Sequence, residues 1–252
     1  MTGADWILRA EGIHRRFGAV VAADDVNVAV PRGAIYSLIG SNGAGKTTFV
    51  NMVTGYVKPE RGRILFDGDD ITLLDPRRIA RLGIHRSFQI AQLCTGLTVL
   101  DNMLVAEAIN ADTPPGFFRL ARSSAALSHA EATLERFGIA QFRDRRIAEL
   151  PGGVKKLLDI AMAMAGRTEL ILLDEPTSGV AADEKFPIMD RVVEALTGRN
   201  VTILFVEHDM EIVLRYSQRV LAFYAGRIIA NDAPEAVLSD PEVKRYVTGG
   251  GA

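Results

Sequence analysis

Three short stretches of the chain are apolar at almost every position: Ala34-Ile35-Tyr36-Ser37-Leu38-Ile39, Leu170 to Leu173, and Val201 to Val206. Unbroken apolarity over such short runs predicts strands covered on both faces, as in a parallel sheet. Helical patterns separate them, so the expected core is α/β. The stretches 6–13, 26–30 and 63–66 read as shorter strands bounded by turns at Pro31-Arg32-Gly33 and Asp67-Gly68, which predicts a separate antiparallel sheet. Between Gln89 and Leu150 strand-like runs vanish, and 100–109 and 125–137 read as helices around a break at Thr113-Pro114-Pro115-Gly116. The pattern predicts a single unit over 1–252, with a core of about 1–89 and 166–252 and an inserted helical subdomain of about 90–165. A final helix at 236–247 is expected to break at Pro241, and Gly249-Gly250-Gly251 reads as a disordered tail.

The ends of the apolar runs carry the chemistry. After Ile39, residues 40–48 read GSNGAGKTT and fit the phosphate-loop pattern G-x-x-x-x-G-K-[ST] at Gly40, Gly45, Lys46 and Thr47. A helix is expected from Thr48 to Tyr56, so strand, glycine turn and helix stand in the order this motif needs. Glycines let the backbone curl until successive N–H groups face a phosphate, and the helix start adds its positive dipole end. Ser41, Asn42, Gly43, Ala44, Gly45 and Thr48 are therefore candidate phosphate contacts. Lys46 supplies a point charge for the β- and γ-phosphates, and Thr47 a hydroxyl for Mg²⁺.

Leu170 to Leu173 runs into Asp174-Glu175-Pro176, which in an open α/β sheet brings both acids to the ligand-binding edge. Mg²⁺ takes one or two carboxylates with phosphate oxygens and water, a role for Asp174. Glu175 is placed to polarise an attacking water. The plain alternative for both is a solvated strand end. Val201 to Val206 ends at Glu207-His208-Asp209, where His208 can sense a γ-phosphate. Gln89, at the junction of core and helical segment, is a candidate ligand for Mg²⁺ or the water.

Composition narrows the setting. A chain of 252 residues with 48% hydrophobic content supports a large core, and a net charge of −2 gives no reason to expect nucleic acid or an anionic membrane as partner. The single cysteine, Cys94, excludes an internal disulfide framework and reads as a half-buried apolar filler. No run reaches about 18 apolar residues, and the N-terminal stretch, with Asp5 and Glu11, lacks a signal-peptide core. His14, His85 and His129 have no partners at metal-ligand spacing. Met162 and Met164 read as core filling, and the arginines at 77–81 and 143–146 as solvated faces.

The order of the phosphate loop, Gln89 in RSFQ, LPGGV at 150–154, LLDEP at 172–176, TSG at 177–179 and EHD at 207–209 resembles an ABC-transporter ATP-binding subunit over essentially the whole chain. The resemblance implies ATP as substrate, Mg²⁺ as cofactor, and hydrolysis coupled to transport. Lys46 and Thr47 then correspond to Walker A, Asp174 to the Walker B metal ligand, Glu175 to the catalytic base, Gln89 to the Q-loop and His208 to the switch histidine. Phe17 stands where such proteins stack an aromatic ring on adenine, although an ordinary strand aromatic is the alternative. The family works as two cassettes, identical or paralogous, bound to permease subunits on the cytoplasmic face of the membrane and served indirectly by a substrate-binding protein. The stretches 17–30, 96–107, 116–139 and 206–210 resemble the branch serving branched-chain and hydrophobic amino-acid importers.

Two loops depart from the family. Its signature is Leu-Ser-Gly-Gly-Gln, where this chain has Leu150-Pro151-Gly152-Gly153-Val154. That loop contacts the γ-phosphate held by the facing subunit. Pro151 offers neither hydroxyl nor N–H, which removes one hydrogen bond of about 1.5–3 kcal/mol, whereas Gly152 and Gly153 keep their donors. Proline suits the first turn of the helix expected next. Ala181 replaces a polar residue in the loop through which the two sites communicate. A soluble non-transport ABC ATPase predicts a coiled-coil insertion or two cassettes per chain. A weakly hydrolysing regulatory subunit fits the altered signature but not the presence of Glu175 and His208.

Overall fold

The computed structural model describes residues 6–87, 93–110, 123–247 and 249, so Gln89, the 113–116 break and positions 250–251 of the tail lie outside the described residues. The chain runs β1 (Trp6–Phe17), β2 (Val20–Pro31), β3 (Ile35–Gly40), α1 (Lys46–Val53), β4 (Arg61–Phe66), β5 (Asp69–Asp70), α2 (Pro76–Leu82) and β6 (Ile84–Arg86). Three helices follow: α3 (Val99–Asn110), α4 (Ser124–Arg136) and α5 (Gly152–Ala163). Then come β7 (Leu170–Asp174), α6 (Lys185–Thr197), β8 (Thr202–Val206), α7 (Met210–Tyr216), β9 (Arg219–Tyr224) and β10 (Arg227–Asp232). The chain closes with α8 (Pro234–Ser239) and α9 (Pro241–Tyr246). The break expected at Pro241 lies between them, where the Asp240 carboxylate caps α9 by accepting from the amides of Glu242 and Val243.

Among the described residues the strands form two sheets, ordered β2-β1-β4-β5 and β10-β9-β3-β8-β7-β6. The first is antiparallel; in the second β9, β3, β8, β7 and β6 run parallel, with β10 antiparallel at the edge. The three apolar runs are its central strands β3, β7 and β8, every residue of which is buried.

Side chains of these strands alternate between two cores, as the two-residue period of a strand dictates. Tyr36, Leu38, Leu170, Leu172, Leu204 and Val206 pack toward β1, β2 and α1. Ile35, Ile39, Ile171, Leu173, Ile203 and Phe205 pack toward α3–α7. Helices α3, α4 and α5 share this second core rather than enclosing one of their own, through Met103, Leu134, Leu158 and Ile160. Helix α1 starts at Lys46, two residues before the expected Thr48, because Gly45 already provides its cap. Cys94 is exposed, not half-buried: it sits in the turn before α3, where its amide donates to the Asn102 side chain at 2.8 Å. No helix among the described residues is long and apolar enough to cross a membrane.

Candidate functional site

The phosphate loop spans the end of β3 and the start of α1. Gly45 holds φ 111°, and a Cβ there would stand 2.5 Å from the Ala22 carbonyl oxygen, so β2 supports the loop only because this residue is glycine. The Gly226 amide, in the β9–β10 turn, donates to the Ala44 carbonyl at 2.9 Å, and the Gly226 carbonyl accepts from the Asp24 amide at 2.9 Å. Ser41, Asn42, Gly43 and Thr47 are exposed, Thr48 is half-buried, and Ala44, Gly45 and Lys46 are buried. Lys46 Nζ donates to the carbonyls of Gly40 at 2.5 Å and Ser41 at 3.1 Å. Burial pushes its pKa down, opposed by the negative fields of Glu175 and Asp174. A partly desolvated ammonium held mainly by neutral carbonyls gains strongly from an arriving phosphate.

The acids lie opposite. Strand β7 delivers Asp174 in register with Val206 of β8, so the ends of both strands share one edge of the sheet. Asp174 is only 8% exposed, which removes the solvated-strand-end alternative. Its Oδ2 accepts from Arg86 Nη2 at 2.6 Å, and the other arm of that guanidinium, Nη1, donates to Asn51 Oδ1 of α1 at 2.7 Å. Glu175 turns the chain at φ 47°, a left-handed conformation that costs a non-glycine residue about 1 kcal/mol, and its amide donates to the Val206 carbonyl at 2.9 Å. Across the edge, His208 Nε2 stands 3.5 Å from Glu175 Oε1. The histidine is half exposed, so this face is open to a ligand.

The LPGGV stretch enters α5. Pro151 occupies the cap position with φ −57° and ψ 155°, one residue before the first turn where it was expected, and α5 begins at Gly152. Leu150, at ψ 145°, is extended as a residue preceding proline prefers. Pro151 and Gly152 are exposed; Gly153 is buried, and a Cβ on it would fall 2.7 Å from Ile188 Cδ1 of α6. Phe17 ends β1 in the open, 46% exposed, with the Arg15 guanidinium 4.7 Å from its ring centroid. An exposed ring can stack on a base, as a core aromatic cannot. Ala181 is exposed on the turn after β7.

Sequence reasoning passed over several residues at this site. Arg86 binds Asp174, and Glu207 is buried with its carboxylate accepting from Thr177. Lys156 of α5 is also buried; desolvation lowers its pKa, while Asp159, Asp174, Glu207 and Glu175 raise it. A charged residue directly after an apolar run was the available signal for Glu207, whereas Arg86, closing the three-residue Ile84-His85-Arg86 strand, and Lys156, within its amphipathic helix, had none.

Residues 23–178 match the ABC transporter family profile. The chain is 36% identical to the high-affinity branched-chain amino acid transport ATP-binding protein LivG of Escherichia coli K12, over 96% of this chain and 98% of that one. It is 34% identical to the corresponding protein BraF of Pseudomonas aeruginosa, again over 96% and 98%. Among solved structures, an ABC-transporter ATP-binding cassette in its ADP conformation superposes with a TM-score of 0.87 at 34% identity, covering 95% of this chain and 97% of that one. A nucleotide-free cassette gives 0.85 at 34% identity, over 94% and 97%. A phosphate loop, two strand-end acids and a facing histidine on this fold, together with full-length relatives above 30% identity, place the chain in the ABC transporter family as an ATP-binding subunit.

Proposed function

We propose that this ATPase powers a membrane importer of branched-chain or related hydrophobic amino acids. It works as one of two facing cassettes docked peripherally on permease subunits at the cytoplasmic face, with a substrate-binding protein feeding the permease. The names of LivG and BraF support the substrate class, and 96% coverage of this chain supports carrying it over. We read residues 1–89 and 166–252 as the nucleotide-binding core and 90–165 as the helical part facing the permease.

The observation that carries the catalytic reading is the meeting of Glu175 and His208 at 3.5 Å on the edge that also holds Lys46 and Asp174. ATP phosphates lie on the loop amides from Ser41 to Thr48, with Lys46 turning from its own carbonyls to the β- and γ-oxygens. Phe17 stacks on the base. Glu175 orients and deprotonates the attacking water, and His208 holds the γ-phosphate and the Glu175 carboxylate in line. The signature loop of the facing subunit, equivalent to Pro151, Gly152 and Gly153, closes the site with amide donors. Asp174 and the Thr47 hydroxyl are a donor set suited to Mg²⁺, one carboxylate and one neutral oxygen that leave phosphate and water to complete the shell. Gln89 is a further ligand of that ion or of the water. An Mg²⁺ ion held by these residues would supply charge neutralisation at the phosphate oxygens.

Glu175→Gln tests the reading. It should leave MgATP binding intact while turnover of the assembled transporter falls roughly 10²-fold or more. Turnover near the wild-type rate overturns the assignment.

A further inference from the structure

Asp174 already has a cationic partner. Arg86 closes β6, paired in register with Leu172 of β7, and its guanidinium reaches the last residue of β7, donating to Asp174 Oδ2 at 2.6 Å. Its second arm is anchored on Asn51 Oδ1 at 2.7 Å, which ties the same group to α1, the helix that starts at the phosphate loop. Both ends of the ion pair are largely withdrawn from water, with side-chain exposures of 19% for Arg86 and 11% for Asp174. A buried carboxylate needs a compensating charge whether or not a metal is present.

We infer that Arg86 is the built-in counter-cation of Asp174, neutralising it when no metal is bound and competing with Mg²⁺ for the same carboxylate. This rests on Asp174 being the metal ligand proposed above. A guanidinium donating to Oδ2 occupies lone pairs that a divalent cation seeks, and it brings like charge against the incoming ion. Metal entry therefore loosens the Arg86–Asp174 contact, and the fork shifts toward its second anchor, Asn51. The arrangement lets the empty site stay folded without metal while raising the Mg²⁺ concentration needed to fill it. Arg86 is thus a positioning residue that acts through Asp174.

The sign of one measurement separates this from a structural ion pair. The full chain is saturated with ADP, and Mg²⁺ or Mn²⁺ is titrated while thermal stabilisation and Mn²⁺ electron paramagnetic resonance are followed. Arg86→Gln should lower the melting temperature of the metal-free protein yet reduce the metal midpoint about tenfold, the worth of one charge-assisted hydrogen bond in the competing state. Arg86→Lys, with one compact charge, should fall between. If Arg86→Gln does not fold, Arg86→Lys gives the test: its metal midpoint should still lie below that of the wild type. An unchanged or raised metal midpoint in the folded variant overturns the inference. Asp174→Asn separates the two levels: a metal midpoint that ignores this change overturns the metal-ligand assignment and the inference with it. A midpoint that responds to Asp174→Asn but not to Arg86→Gln overturns the inference alone.

Discussion

The Glu207 carboxylate accepts from both the amide and the hydroxyl of Thr177, at 3.1 and 2.6 Å. Its other oxygen accepts from the amides of His208 at 3.1 Å and Asp209 at 3.5 Å. One buried side chain thus locks the turn after β7, which carries Glu175, to the loop after β8, which carries His208. The spacing of those two residues is set from behind.

Glu207→Gln keeps the size but turns an amide NH₂ toward backbone and hydroxyl donors. A donor left without an acceptor costs about 1–3 kcal/mol, several degrees in melting temperature for a chain of this size. We expect turnover to fall with that loss while ATP affinity stays unchanged, since the phosphate loop is not touched. A variant that melts lower but hydrolyses at the wild-type rate would show that the lock is structural only.

Lys46→Ala removes an ammonium whose pKa burial already depresses, so the nucleotide-free protein should melt at nearly the same temperature. The rise in melting temperature produced by ATP, worth about 2.7 kcal/mol at a hundredfold excess over Kd, should disappear. Differential scanning fluorimetry with and without ATP checks both halves. A thermal shift equal to the wild type removes the nucleotide-site reading itself.

Pro151→Ser restores a hydroxyl and an amide at the cap of α5. If that loop acts on the nucleotide of a facing subunit, as proposed, ATP affinity of the isolated chain should not change. Turnover of the assembled complex should rise about tenfold, the value of one hydrogen bond to a charged group. Where two different cassettes pair, only the site built with this chain's loop should speed up. An unchanged rate means that the amides of Gly152 and Gly153 and the α5 dipole suffice.

Asp209 offers a pH test. Its Oδ2 accepts from Lys185 Nζ at 2.7 Å, and that hydrogen bond, ahead of the opposing effect of burial, holds its carboxyl below the usual range. A depressed carboxyl pKa gives stability that is present above the unfolded value of about 3.9 and lost as pH falls through the folded one. Asp209→Asn keeps the α7 cap, where the side chain accepts from the Glu211 amide, but loses the ion pair. It should cost about 0.5 kcal/mol at neutral pH, the scale of a partly exposed pair, and nothing once pH is well below the carboxylate range. A difference that persists unchanged into acid contradicts the ion-pair account.

The central sheet was legible because β3, β7 and β8 are apolar without alternation, a pattern that only double-sided burial explains. The antiparallel hairpin was only half legible: β1 and β2 each run several residues beyond the stretches expected, and bulges between Ala10 and Ile13 and near Arg15 scramble the two-residue period there. Strand β6 went unseen because three residues carry no period at all. At the site, Asp174, Glu175 and His208 were legible from strand ends, and Lys46 from the glycine loop between β3 and α1. Arg86, Lys156 and the Glu207–Thr177 lock were hidden for a different reason. Their meaning lies in what they touch across the fold, and local spacing does not encode those pairings.

The strand order has a consequence for how the protein is made. Strand β3, which ends in the phosphate loop, lies between β8 and β9, and the loop itself is tied to Gly226 in the turn beyond β9. Both neighbours leave the ribosome only when residues 202–224 have been translated. At about 5–20 residues per second, the nascent phosphate loop waits on the order of ten seconds with an apolar strand unpaired behind it. The first functional motif to be synthesised is therefore among the last to take shape. During that interval the segment 35–40 is an apolar strand without the sheet neighbours that satisfy its backbone.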